Sequence, residues 1–98
     1  MRVRVTKRAE RRIEIVDGFW RKNRFDAPNL FKEELAAAEI RLSEDPHAGR
    51  ACVINGKQLR RLLLERTEQW VYYVVRARKE LVVVWTVWGA RRGRDPKL

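Results

Sequence analysis

The sequence predicts an α+β domain in which a two-helix antiparallel hairpin packs on one face of an antiparallel sheet. Two stretches in the first half repeat apolar residues every three or four positions, as amphipathic helices do. After residue 50 the chain becomes rich in Val, Leu, Tyr and Trp, in three segments joined by short polar connections. With a short N-terminal strand, the predicted order is β-α-α-β-β-β. A length of 98 residues fits a single domain, 1–98.

The N-terminal strand and first helix follow from the opening residues. Residues 2–5 alternate Arg and Val, which predicts a short strand with one polar and one apolar face. Thr6 suits the N-cap position of a helix that runs to about Asn23. Its apolar stripe consists of Ala9, Ile13, Val16 and Trp20, with Ile15 and Phe19 beside it.

The second helix is predicted from a cap and a second stripe. Asp26 and Pro28 suit its N-cap and first turn. Pro46 and Gly49, in the segment SEDPHAGR, end it. The apolar stripe between these signals consists of Phe31, Leu35, Ala38 and Leu42.

Three strands are predicted in the C-terminal half, at 58–66, 70–78 and 81–88. In the middle strand, alternate residues face opposite sides of the sheet. We expect the core side to hold Val71, Tyr73, Val75 and Ala77. We expect the other side, which mixes aromatic and basic residues, to be the working surface: Trp70, Tyr72, Val74, Arg76 and Arg78.

Charge is the unusual feature of the composition. The chain has 23 basic and 13 acidic residues, for a net charge of +10. The first 50 residues hold 12 basic and 9 acidic side chains, and the other 48 hold 11 and 4. The excess therefore lies mainly in the C-terminal half, and such a field attracts phosphate backbones, acidic protein segments or anionic lipid.

Several classes of function are disfavoured. Cys52 is the only cysteine, so an intramolecular disulfide is impossible, and a reducing, cytoplasmic location fits best. No uncharged stretch reaches the ~20 residues of a membrane helix. Neither a metal-ligand cluster nor a Gly-rich phosphate loop occurs, so we expect no metal, no cofactor and no small-molecule substrate. His47, the only histidine, lies in a turn, where solvent exposure is the plainer interpretation.

The whole pattern resembles the RelE/ParE family of bacterial toxins, from Val3 to Leu98. The resemblance is carried by the strand, the two helices, "DPHAG", and then "LRRLLL", "WVYYVV" and "LVVVWTVWGARRGRDP". The individual matching positions are Ala9, Ile13, Leu42, Pro46, Gly49, Arg60, Arg61, Tyr72, Tyr73, Gly89, Ala90, Arg91 and Arg92. The sequence departs from many relatives at Trp88, where they carry a histidine.

The resemblance implies the toxin half of a type II toxin–antitoxin system, bound and neutralised by a cognate acidic antitoxin. Two activities are known in the family. ParE-like members inhibit DNA gyrase without being nucleases, and RelE-like members cleave mRNA on the ribosome. The long first helix, the Pro-Gly turn and the RRGRDPKL ending are closer to ParE-like members, and we lean towards a protein that is not an enzyme.

The candidate site residues depend on which activity applies. For a nuclease, the resemblance implies phosphate contacts from Arg60, Arg61 and Arg91, with Tyr72 in proton transfer. For docking of a target or an antitoxin, the candidates are the basic and tryptophan residues of the C-terminal half: Arg60, Arg61, Arg76, Arg78, Trp85, Trp88, Arg91, Arg92 and Arg94. Guanidinium groups suit phosphate and carboxylate recognition. A third hypothesis, a non-toxic nucleic-acid-binding module, rests only on the charge and the strand aromatics.

Overall fold

The fold is described by a computed structural model that covers residues 1–98. It contains two α-helices, one short 3₁₀ helix and five strands. In chain order these are β1 (Arg2–Val5), α1 (Lys7–Asn23), α2 (Leu30–Glu44), β2 (Arg50–Ile54), β3 (Lys57–Leu64), β4 (Gln69–Arg76), the 3₁₀ helix (Ala77–Lys79) and β5 (Leu81–Gly89). None of the helices is long and apolar enough to cross a membrane.

The five strands form one sheet in the order β1-β5-β4-β3-β2. β2, β3, β4 and β5 pair antiparallel with their neighbours in sequence, whereas β1 pairs parallel with β5. The predicted α+β class and the placing of both helices on the sheet are confirmed. The sheet is mixed and not wholly antiparallel, because the helical hairpin returns the chain so that β1 lies alongside the last strand.

Strand β2 was missed by the sequence prediction. Its five residues include the small residues Ala51 and Cys52, and their pattern of apolar positions is weak. The connection to β3, however, contains a clear signal in Asn55-Gly56. Both residues have positive φ angles, 50° and 78°, as a two-residue hairpin turn requires. That dipeptide identifies residues 50–54 and 57–64 as a hairpin.

Helix α1 begins as predicted. The Thr6 side-chain oxygen accepts a hydrogen bond from the amide of Ala9, at 3.1 Å, which satisfies one of the free N–H groups of the first turn. Ala9, Ile13 and Val16 are buried, and Trp20 is half-buried. The start predicted for α2 was too early, because Asn29 occupies the N-cap and Asp26 and Pro28 lie in the preceding turn.

The main core lies between the helices and one face of the sheet, which we call the helix face. The predicted stripe of α2, from Phe31 to Leu42, is buried there together with Val71 and Tyr73 of β4. Phe31, Leu42, Val71 and Tyr73 are each 0% exposed. Burying such side chains is worth about 1.5–3 kcal/mol each, so this layer contributes most of the stability of the fold.

The turn after α2 is fixed by a tyrosine of the helix face. The amide of Gly49 donates to the hydroxyl of Tyr73 at 2.9 Å, and that hydroxyl donates to the carbonyl of Pro46 at 2.8 Å. A Cβ atom at residue 49 would lie 2.5 Å from the carbonyl oxygen of Arg61. Only glycine fits there, which gives the DPHAG segment a structural role.

The predicted alternation of β4 is confirmed for Val71, Tyr73 and Val75, which face the helices, and for Trp70, Tyr72 and Val74, which face away. The pairing with β5 shifts by one residue between Tyr72 and Tyr73. The strand was predicted too long. It ends at Arg76, and the next three residues form the 3₁₀ helix, so Ala77 and Arg78 belong to neither face.

Candidate functional site

The candidate site is the side of the sheet that the helices leave bare, which we call the open face. Every charged strand residue on it is basic. Alternation along the paired strands places six cations there: Arg2, Arg4, Arg50, Lys57, Arg61 and Arg76. The strands contribute no carboxylate to this side, so the open face has the positive field expected of a surface for an anionic partner.

Part of the open face is occupied by the last residues of the chain. Residues 90–98, the tail, turn back from β5 across the sheet. Pro96 is fully buried, and Leu98 packs against an apolar cluster formed by Ile54, Leu59 and Tyr72. The working surface predicted for this side of the sheet is therefore partly covered by the chain itself. Tyr72, predicted to lie on that surface, is only 1% exposed.

Each tryptophan of the open face lies under a cation. The Nζ atom of Lys57 is 4.9 Å from the ring centroid of Trp85, and the guanidinium carbon of Arg61 is 4.1 Å from that of Trp70. Trp88 has two such neighbours, Arg92 at 4.3 Å and Arg12 at 5.0 Å. Trp85 and Trp88 are both half-buried, and each has a cation against its ring.

Four of the nine predicted docking residues meet in a small hollow beneath the tail. The hollow measures about 170 Å³, and Trp70 and Tyr72 also line it. The indole N–H of Trp88 donates to the carbonyl of Arg94 at 2.9 Å, which fixes the tail over the ring. The four predicted residues brought together there are Arg61, Trp88, Arg92 and Arg94.

The other predicted cations are not brought into this hollow. Arg60 faces the helix side and donates to the carbonyl oxygens of Gly49 and His47, at 2.7 and 3.2 Å. Its guanidinium therefore holds the turn after α2. Arg76 ends β4, and Arg78 lies in the 3₁₀ helix, at the opposite end of that strand from Trp70.

Arg91 is engaged by an acidic residue. Its Nη2 donates to Glu68 Oε1 at 3.1 Å, and its Nε donates to Oε2 of the same carboxylate. This two-point hydrogen bond lowers the pKa of Glu68 and raises the pKa of Arg91. Arg91 is thus paired within its own chain, at a position where its side chain is 84% exposed and such a pair is weak.

The four residues implied for a nuclease do not form one constellation. Arg61 and Tyr72 are register partners on the open face. Arg60 points to the other side of the sheet, and Arg91 is paired with Glu68. The Tyr72 hydroxyl takes part in none of the side-chain hydrogen bonds of the structure, whereas the hydroxyl of Tyr73 takes part in two.

The remaining reactive side chains lie apart from one another. His47 is exposed in its turn, as predicted. Cys52 is half-buried on the open face, and burial raises the pKa of its thiol, so it is a weak nucleophile at neutral pH. No group of three His, Cys, Asp or Glu side chains is arranged to hold a metal ion.

A second basic concavity was missed by the sequence analysis. It lies between α1 and the tail, where Arg8, Arg11, Arg12 and Ile15 share one helix face through their three- and four-residue spacing. That spacing was visible in the sequence. Nothing in the sequence, however, places the tail against these arginines.

Comparison with known proteins did not identify a relative of this chain. Neither a scan of protein-family models nor a search of curated proteins found a match to the chain. The function is therefore argued from the residues, the fold and the charge distribution.

Proposed function

We propose that this protein is the toxin component of a type II toxin–antitoxin system of the RelE/ParE family, that it acts as an inhibitor of DNA gyrase in the ParE manner, and that a cognate acidic antitoxin neutralises it. The observation that carries the proposal is the open face of the five-stranded sheet, whose charged strand residues are all basic. Such a face favours binding to a macromolecule of opposite charge. The bacterial cytoplasm is the compartment in which both partners would occur.

The shape of the open face supports docking more than catalysis. Tyr72 and Arg61 are neighbours, but Tyr72 is 1% exposed and lies beneath the tail. Cleavage of RNA through its 2′-hydroxyl needs a base and an acid close to the phosphate. His47 and Cys52 lie on different elements from the hollow, so a RelE-like ribosome-dependent endonuclease has less support.

An antitoxin partner is supported by exposed apolar residues beside the positive charge. Ile15 and Phe19, one turn apart on α1, are 62% and 60% exposed. Arg11 and Arg12 lie on the same helix, and Arg12 is half-buried against Trp88. An acidic amphipathic segment would bury the apolar pair and place its carboxylates near these arginines. Such a segment is disordered alone and folds on contact.

The proposal is tested by incubating the purified chain with DNA gyrase, ATP and relaxed plasmid. We expect loss of supercoiling and accumulation of cleaved plasmid trapped on gyrase. Arg92→Ala, which removes a cation from the hollow, should weaken inhibition by about tenfold, since a hydrogen bond to a charged group contributes about 1.5–3 kcal/mol. The matched control is Arg78→Ala, which removes the same charge from the far end of β4.

Two outcomes would contradict the proposal. Unchanged supercoiling at a large excess of the chain would reject gyrase as the target. Cleavage of mRNA on programmed ribosomes by the same preparation would instead establish the nuclease alternative. If bacteria that express the chain without any partner grow normally, the toxin assignment itself is wrong, and the third hypothesis, a non-toxic nucleic-acid-binding module, takes its place.

A further inference from the structure

A groove between α1 and the tail has the features of a site for a small anion. It shares Trp88 and Arg94 with the hollow, and Arg11, Arg12 and Ile15 with the surface proposed for the antitoxin. It encloses about 620 Å³, and Thr86 and Trp88 of β5 lie at its base. One wall is the exposed side of the first turns of α1, and the other is the tail. Five cations line it: Arg8, Arg11, Arg12, Arg94 and Lys97. We call it the arginine groove.

The positive charge of the arginine groove is not balanced within the chain. The three ion pairs of the structure join Arg21 with Asp17, Lys32 with Glu14, and Arg91 with Glu68. None of them involves a groove residue. Asp95, the one carboxylate that lines the groove, makes no ion pair with the cations around it. Five positive charges on two facing walls therefore repel one another until an anion enters.

Arg12 is the best-positioned of these cations. Its guanidinium lies 5.0 Å from the ring centroid of Trp88, and Arg92 lies against the same ring. The Nε atom of Arg12 is buried and has no hydrogen-bond partner. Burial lowers the pKa of Arg12, and the positive charge of Arg92 lowers it further. An anion beside Arg12 would relieve both costs.

Arg8 is also fixed in place with donors to spare. Its Nη2 donates to the carbonyl of Lys97, which ties the N-terminal turn of α1 to the tail. A guanidinium has five N–H donors, so most of those on Arg8 remain free. Arg8 and Arg12 are both held in place by contacts within the chain. They therefore lose less conformational freedom on binding an anion than mobile surface side chains do.

The geometry points to a compact anion with two or three linked phosphate groups as the ligand. Guanidinium groups bind phosphate oxygens in pairs, and five cations less the carboxylate of Asp95 leave a positive charge that matches the negative charge of a triphosphate. The only aromatic ring in the groove already lies against Arg12 and Arg92, so it offers no platform on which a base could stack. We propose that the groove recognises the phosphate chain and not the group attached to it.

Calorimetric titration of the full chain tests the site. Tripolyphosphate and ATP should each bind at one saturable site with similar affinity, and adenosine should not bind. The double variant Arg11→Gln/Lys97→Gln removes two exposed groove cations without disturbing the Trp88 contact or the hydrogen bond from Arg8 to the tail, and it should weaken binding by about tenfold or more. The control Arg41→Gln/Arg66→Gln removes the same charge from exposed positions outside the groove and the hollow, and it should change affinity by about twofold at most in 0.15 M salt.

The same titrations define what would overturn the site. Equal losses in both double variants would mean attraction by net charge alone, and no saturable binding of tripolyphosphate would mean that there is no site. A 20-nucleotide single-stranded DNA serves as the second arm. If it binds and tripolyphosphate fails to compete, the groove holds a nucleic-acid backbone and the compact ligand is wrong. Gyrase inhibition is measured separately, so the two proposals can fail independently.

Discussion

The two faces of the sheet are made from alternate residues of the same strands, yet they are built on different principles. The helix face is almost entirely apolar and is sealed by α1 and α2. The open face combines cations with tryptophans and is sealed only by the nine-residue tail. Because the helix face supplies the stability, the open face can concentrate positive charge that a small core could not otherwise tolerate.

The largest expected effect is on the free energy of unfolding, and it is seen by comparing substitutions of two phenylalanines. Phe31→Ala removes a side chain that is 0% exposed on the helix face. Because it leaves a cavity, we expect the free energy of unfolding to fall by about 3–5 kcal/mol. Phe25, in the turn between the helices, is 85% exposed, and Phe25→Ala should change stability by less than about 0.5 kcal/mol.

Urea denaturation of both variants measures these values. A small loss for Phe31→Ala would mean that the helix face is not the main source of stability, and the contrast between the faces would fail.

The next largest effect on stability is seen by comparing substitutions of two adjacent tyrosines on opposite faces of the sheet. Tyr73→Phe removes the hydroxyl that accepts from Gly49 and donates to Pro46, so both buried backbone groups lose a partner. We expect a loss of about 1–3 kcal/mol in the free energy of unfolding. Tyr72 makes no such contact, and Tyr72→Phe should cost well under about 1 kcal/mol.

The pair is compared by thermal and urea unfolding under identical conditions. If the two variants lose equal stability, the hydroxyl of Tyr72 has a structural partner, and the two faces are less different than described. Growth inhibition by Tyr72→Phe adds a second readout. Toxicity that survives this change would also argue against a proton-transfer role for Tyr72.

The smallest effect concerns the ion pair of Glu68 and Arg91. Hydrogen bonding to Arg91 lowers the pKa of Glu68 in the folded chain. A lowered folded pKa contributes stability above the unfolded pKa of about 4.3, and that contribution is lost as the pH falls through the folded value. The pair is solvent-exposed, so we expect no measurable change in stability from Arg91→Gln at neutral pH.

The change expected from Arg91→Gln is in the pKa of Glu68. In the Arg91→Gln variant, the pKa of Glu68 measured by carboxyl NMR should rise towards its ordinary value, whereas Arg78→Gln should leave it unchanged. A Glu68 pKa that does not move in Arg91→Gln would show that the pair does not persist in solution, and Arg91 would then be available to a partner.

The helix face could be predicted from the sequence because its signals are local. Apolar residues at helical spacing, and alternation in residues 70–76, determine which side chains face the core. They do so regardless of which element packs against them. Strand β2 was the exception, since its own residues are a weak guide and only Asn55-Gly56 marks the hairpin. The parallel entry of β1 depends on pairing across almost the whole chain, which no local pattern encodes.

The open face could be predicted only in composition. Its cations and aromatics are visible in the sequence, but the path of the tail is not. That path buries Tyr72, brings Arg92 to Trp88 and creates the arginine groove. The roles of Arg60 and Arg91 were equally ambiguous. The sequence does not distinguish an arginine that hydrogen-bonds to a backbone turn from one that is free to bind phosphate, because the difference depends on neighbours in space.

The position of β5 in the sheet has a consequence for how the protein is made. β5 is the last strand to be synthesised, yet it lies between β1 and β4 and supplies much of the surface on which α1 rests. A nascent chain therefore cannot complete this sheet until residues 81–89 have emerged from the ribosome. Until then β1 has no strand to pair with and α1 lacks most of the surface on which it rests, so the N-terminal half of the domain cannot finish folding before β5 is available.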